Sequence, residues 1–213
     1  YVDVIDTISL TINSRIQVGL NPERMAIANN KLYVTNSGGL NTPLMDSTVS
    51  IIDLNTQQEI ERITVGMNPG TIKTDPYGDV YVVARGNYGS IPSRMKRINS
   101  QTDIVEETFD ADISGISNFN NDFLVTYYDF ASAQNNIGFF NTVTETIELT
   151  EFMPLNEIET LYGLSYNPIN NRIYISDAMG YTNTGYIREY DAQGNYIQSF
   201  HVGLNPSKIL FYE

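Results

Sequence analysis

Short stretches in which apolar and polar positions alternate with a period of two recur along the whole chain, and they are rich in β-branched and aromatic residues. No stretch shows the three-to-four spacing of an amphipathic helix. The plainest set is Lys31-Leu32-Tyr33-Val34-Thr35-Asn36, residues 79–84, residues 122–127 and Arg172-Ile173-Tyr174-Ile175-Ser176-Asp177, each reading as a buried strand. A strand of a first kind precedes each, over 24–29, 71–75, 113–119 and 161–167, with a lone further one at 207–213. A third kind ends in Asp or Asn with a turn-former three residues on: Asp53 with Thr56, Asn99 with Thr102, Asn141 with Thr144 and Asp191 with Gly194. This spacing predicts β-turns whose first side chain caps its own backbone. A fourth kind covers 59–65, 104–109, 146–152 and 196–202.

A phrase punctuates these strands: Val18-Gly19-Leu20-Asn21-Pro22, Val65-Gly66-Met67-Asn68-Pro69 and Val202-Gly203-Leu204-Asn205-Pro206. Its glycine is expected to supply an unusual backbone angle and its proline to open the next first strand, where no ladder donor is needed. The prolines stand 47 (69 − 22) and 137 (206 − 69) residues apart, so a unit of roughly 46 residues tiles the chain. Four strands per such unit predict an all-β fold, a β-propeller of four-stranded antiparallel blades, with about 4.5 blades in one domain over 1–213. The repeats fall near 1–20 (partial), 21–67, 68–111, 112–155, 156–204 and 205–213 (partial). Two expected strands, over 1–7 and 14–18, open the chain in mid-repeat, which suggests N-terminal truncation of a seven-bladed parent or, alternatively, a five-bladed ring closed by 207–213.

Tryptophan is absent, which removes the signatures of WD40 and many quinoprotein blades. Tyr33-Val34-Thr35-Asn36 and the later Ser47-Thr48-Val49-Ser50-Ile51-Ile52-Asp53 instead resemble the YVTN-repeat propeller family. That resemblance implies a bacterial surface-layer-like, secreted or cell-surface protein, in an extracellular, cell-surface or periplasmic location. It is strong in the first repeat and weak in the third, where Leu124-Val125-Thr126-Tyr127 and the missing Asn-Pro before Ile113 depart from it.

Composition narrows the partners. A formal charge of −13 repels phosphate backbones, so nucleic acid is disfavoured. No apolar run approaches the roughly 20 residues that span a bilayer, so membrane insertion by this chain is not expected. With no cysteine, neither disulfides nor thiolate chemistry is available.

Turns between first and second strands are tight, whereas second-to-third loops are long, at 36–47, 85–93, 128–136 and 178–185. In antiparallel blades those loops share a face with the Val-Gly-x-Asn-Pro turns, and loops on a rigid scaffold favour binding sites. That face supplies the candidate ligand-binding residues Asn36, Asn41, Asp46, Arg85, Tyr88, Tyr128, Asp129, Phe130, Asp177, Tyr181 and Tyr186. Aromatics beside amides and carboxylates suit a glycan, a peptide or a protein partner without catalytic machinery.

Catalytic residues are not expected. The only histidine, His201, falls in an outer strand, and Gly163-Leu164-Ser165-Tyr166-Asn167 lacks the last glycine of a nucleophile elbow. No cofactor is predicted: no Asp-x-Asp-x-Asp-Gly loop is present, which disfavours a structural calcium at Asp46, Asp129 or Asp177. The acidic series Glu145, Glu148, Glu151, Glu157 and Glu159 reads as a solvated rim. The leading expectation is thus a non-enzymatic binding scaffold. The alternatives are a propeller lyase or hydrolase using carboxylates and a divalent metal, and a structural module of a surface array.

Overall fold

In the computed structural model, which describes residues 1–39, 41, 44–129 and 131–211, the strands assemble into four four-stranded antiparallel sheets and one two-stranded ribbon. β1 (Val2–Ile5) pairs with β2 (Ile12–Ile16). The first sheet is β3 (Pro22–Ala28), β4 (Lys31–Asn36), β5 (Thr48–Asp53) and β6 (Gln58–Thr64). The second is β7 (Pro69–Thr74), β8 (Val80–Ala84), β9 (Arg94–Asn99) and β10 (Ile104–Phe109). β11 (Ile113–Phe119), β12 (Asp122–Asp129), β13 (Gln134–Asn141) and β14 (Thr146–Glu148) form the third. β15 (Leu161–Asn167), β16 (Arg172–Asp177), β17 (Thr184–Asp191) and β18 (Tyr196–Leu204) form the fourth. The only helical element among the described residues is a 3-10 turn, Met179–Tyr181. The chain packs as two compact units, Tyr1–Ile116 and Ser117–Glu213.

In the first unit, period-two alternation buries both faces of the central strands. Tyr33, Val49 and Ile51 pack with Ile72, Val80, Val82 and Ile98 of the second sheet. Val34 and Ile52 face the other way, against Ile16 and Val18. Each such fully buried side chain contributes roughly 1.5–3 kcal/mol, well above an exposed ion pair such as Arg15–Asp3. Polar members of the same strand obey the same alternation. Tyr33 donates its hydroxyl to Asp103 at 2.6 Å, the Lys31 ammonium reaches both Asp103 oxygens at 2.7 and 2.6 Å, and Thr35 donates to the Gly70 carbonyl at 3.0 Å. Lys31, Tyr33 and Asp103 are all buried, so the pair is desolvated yet fully bonded. In the second unit Phe119, Leu124, Ile137, Met153, Ile173, Ile175 and Tyr190 form one cluster.

The capped turns form as the spacing predicts. Asp53 accepts from the backbone N–H groups of Asn55 and Thr56, Asn99 from Gln101 and Thr102, Asn141 from Val143 and Thr144, and Asp191 from Gln193 and Asn195.

Four expectations change. In the repeated phrase the left-handed residue is the asparagine: Asn21, Asn68 and Asn205 have φ of 49°, 58° and 50°, while of the three glycines only Gly66 is left-handed, at 111°. Gly19 is small for another reason, since a Cβ there would lie 2.5 Å from the Asn36 side chain and 2.7 Å from Asp46 Oδ2. The strand expected over 207–213 is not formed over 207–211, which has no ladder partner among the described residues; 212 and 213 lie outside them. β14 stops at Glu148 rather than 152: Phe152 instead donates its N–H to the Ile137 carbonyl, and its ring and Met153 turn into the core. The long loop expected over 128–136 is mostly strand, since β12 and β13 continue pairing through Asp129 and Gln134.

Candidate functional site

The phrase turns do meet the long loops. In the first unit Leu20 donates its N–H to Asp46 Oδ2 at 2.8 Å, Gly38 to the Leu20 carbonyl at 2.9 Å, and Asn68 to the Asp46 carbonyl at 2.8 Å. Asp46 Oδ1 accepts from the N–H groups of Ser47 and Thr48 and from the Thr48 hydroxyl. Asn36 is fully buried and donates to Thr48 Oγ1 at 3.0 Å and Ser50 Oγ at 2.9 Å. These two predicted ligand residues therefore hold the loop together. Arg85 likewise grips Glu23 with both terminal nitrogens (2.9 and 2.5 Å) and the Asn68 side chain at 2.8 Å, its guanidinium lying over Gly70, where a Cβ would come within 2.7 Å. Asn41 and Tyr88 are exposed, and Tyr88 takes a left-handed backbone, φ 56°.

In the second unit, Asp177 is fully buried. Its oxygens accept from the backbone N–H groups of Glu159 (3.2 Å), Thr160 (2.9 Å) and Met179 (3.1 Å), and from Arg188 at 3.1 Å. Burial pushes this carboxyl up, but the backbone donors and the guanidinium outweigh it and hold it below the usual carboxylate range. Arg188 also lies over the Tyr186 ring at 5.6 Å. Asp177 therefore ties the 159–160 segment to the turn that carries Tyr181. Asp129 ends β12, its carboxyl lowered by the Ser132 hydroxyl and the Ala131 N–H of the connection that follows. Phe130 lies outside the described residues. His201 shares a 2.6 Å hydrogen bond with Thr184 Oγ1 and lies 5.0 Å from the Tyr186 ring.

Beside these groups is a cavity of about 280 Å³ lined by Ala133, Gln134, Asn135, Leu155, Asn156, Ile158, Glu159 and Leu161. Tyr128 stands opposite Asn135 in the ladder and is exposed. Glu159 Oε1 lies over Gly180, 2.8 Å from where a Cβ would stand. The next residue, Tyr181, meets Tyr162 edge-on at 5.5 Å, and both rings are exposed. Of the predicted residues, Tyr128, Asp129 and Tyr181 are neighbours of this wall in the ladder or chain, and Asp177 braces it from behind together with Arg188, which the sequence-based set lacks. The amide lining and Glu159 are absent from the sequence-based set. Their signal is length: residues 149–160 separate β14 from β15, where only 65–68 and 110–112 separate the corresponding strands earlier.

Solved structures of other proteins share this arrangement of sheets. Hydrazine synthase from Kuenenia stuttgartiensis aligns over 94% of this chain and 59% of its own, with a TM-score of 0.71 and 17% identity. The fold is a β-propeller. A quinonprotein alcohol dehydrogenase-like protein from Bacteroides thetaiotaomicron aligns over 93% of this chain and 50% of its own (TM-score 0.60, 15% identity). A luciferin-regenerating enzyme aligns over 88% and 64% (TM-score 0.57, 10% identity). The chain thus spans between half and two thirds of each of these proteins, and at such identities the likeness concerns fold alone. No family model matches the sequence, and no curated protein matches it. Among the described residues no helix is long and apolar enough to cross a membrane.

Proposed function

We propose that the protein is a non-enzymatic binding propeller of the YVTN type, exported to the cell surface, and that the cavity of the second unit is its ligand site. The cavity carries this reading: it is a concave, polar-lined space walled by the β12–β13 connection and the 155–161 segment, on a scaffold of paired strands. Asp46 and Asp177, two carboxylates that a metal-dependent lyase could have drawn on, each take several backbone donors instead. The Tyr33-Val34-Thr35-Asn36 motif supports the family and the surface location. The partner is a glycan or a peptide small enough to enter the cavity.

Differential scanning fluorimetry of the full chain against oligosaccharide and short-peptide panels tests this. A ligand present at 100 times its Kd stabilises by about 2.7 kcal/mol, which corresponds to a rise of roughly 5–10 °C for a chain of this size. The rise should vanish in an Asn135→Ala/Asn156→Ala double variant and persist in Tyr88→Ala. A rise that survives the double variant places the ligand elsewhere.

A further inference from the structure

The chemistry of the cavity wall selects among ligands. The amide-bearing Gln134, Asn135 and Asn156 line it together with Ala133, one acidic residue, Glu159, and the apolar Leu155, Ile158 and Leu161; no Lys or Arg is among these lining residues. An amide offers both a donor and an acceptor, which is what a hydroxyl requires of its partner. A carboxylate can accept from two adjacent hydroxyls. The apolar side chains suit the C–H faces of a pyranose, and the exposed Tyr128 ring stands opposite Asn135 in the ladder. Arg188, the nearest cation named above, is committed to Asp177 and stands 3.6 Å from Glu157, so it is not available to neutralise an acidic ligand.

The wall is also held in place. Asp177 fixes the backbone of Glu159, Thr160 and Met179 from behind, Gly180 donates to Thr160 Oγ1 at 3.0 Å, and the bare Gly180 backbone makes room for the Glu159 carboxylate. Rigid presentation of this kind lowers the ordering cost of binding.

We infer that this cavity is a neutral-saccharide site in which Glu159 and the amides of its wall bind ring hydroxyls, and that it discriminates against uronic and sialic acids. This rests on the reading of the cavity as the ligand site. At about 280 Å³ the space lies at the lower end of small-ligand pockets, so it takes the end of a chain or a short oligosaccharide rather than the middle of a polymer.

The test is isothermal titration calorimetry of the full chain with neutral hexose oligosaccharides and with the matching uronic-acid oligosaccharides. Neutral sugars should bind at least tenfold more tightly than the acidic ones. Glu159→Gln should narrow that ratio severalfold, because it removes the charge and keeps the shape. Gly180→Ala, which displaces the Glu159 carboxylate, should weaken neutral-sugar binding at least fivefold while melting temperature monitors the fold. Equal or tighter binding of uronates, or a ratio unmoved by Glu159→Gln, overturns the inference. If saccharides fail and a peptide binds in a manner abolished by Asn135→Ala, the saccharide assignment falls and the cavity reading stands. If no saccharide or peptide binding is sensitive to Asn135→Ala, both fall.

Discussion

Replacing Asp103 by Asn tests how much of the first unit rests on one desolvated pair. The Asp103 carboxylate faces the Lys31 ammonium at 2.7 and 2.6 Å, and both side chains are 11% exposed. At an effective dielectric of 20 and a charge separation near 3.5 Å, the attraction is about 5 kcal/mol before the desolvation that offsets most of it. Asn tolerates the left-handed backbone of position 103, φ 60°, and its amide oxygen can still accept from Tyr33, so what changes is the charge. The substitution leaves an ammonium buried without its counter-ion, expected to cost about 3 kcal/mol, or roughly 6–12 °C in Tm. Lys31→Met should cost a similar amount, because it strands the carboxylate. The double variant should recover at least half of the summed loss, giving a coupling of about 3 kcal/mol. Urea unfolding followed by tyrosine fluorescence and circular dichroism measures all four corners of the cycle. A loss under 1 kcal/mol for Asp103→Asn, or a double variant as unstable as the sum of the singles, would refute the reasoning.

Other expectations concern equivalent glycines and opposed carboxyl groups. Gly19→Ala should cost about 1–3 kcal/mol, since the added methyl meets Asn36 and Asp46, while Gly203→Ala, with nothing within 4 Å of the new carbon, should change stability by less than about 0.5 kcal/mol; melting curves decide both. Asp177 is held below its ordinary value of 3.8, so the stability it contributes is complete above that value and is lost as pH falls through the lower folded value. The destabilisation caused by Asp177→Asn should therefore be large at pH 7 and shrink only as pH falls below 3.8, the ordinary value, toward the lower folded one. Asp75 has the opposite sign: burial, only partly opposed by the N–H groups of Asp79 and Tyr77, raises its carboxyl. Asp75→Asn should accordingly raise Tm at pH 7 and lose that advantage in acid, where the native carboxyl is already neutral; a loss at pH 7 contradicts the assignment.

The strands were readable because their information is local. β4, β11 and β16 span the residues that alternation predicts, since period two places successive side chains on opposite buried faces whatever the surroundings. Strand ends follow tertiary demands instead: β14 gives way where Phe152 and Met153 find the core. In the phrase, both Asn and Gly can adopt left-handed backbones, so composition cannot rank them, and packing at Gly19 decides. The candidate site was legible only in outline. Asn36 and Asp177 end strands and Asp46 and Arg85 sit in loops, polar residues beside connections as binding residues are, yet each is spent on hydrogen bonds that shape those connections. Gln134, Asn135 and Asn156 sit in segments distant in sequence, and no periodicity announces that two connections will wall one cavity.

The two-way alternation of β4 has a consequence for how such a chain can grow. Lys31, Tyr33 and Thr35 reach forward to the second sheet, while Val34 packs backward against Ile16 and Val18. The heritable piece is thus the seam between neighbouring sheets and not the sheet itself. A duplication one period long that includes the first sheet copies both halves of a joint, because that sheet packs toward the second sheet on one face and toward Ile16 and Val18 on the other. An insertion or deletion of half a period leaves two mismatched halves, a buried Lys without its Asp among them. Growth by whole periods keeps such a joint intact, and the Asn-Pro phrases ending at 22, 69 and 206 stand near whole multiples of one period.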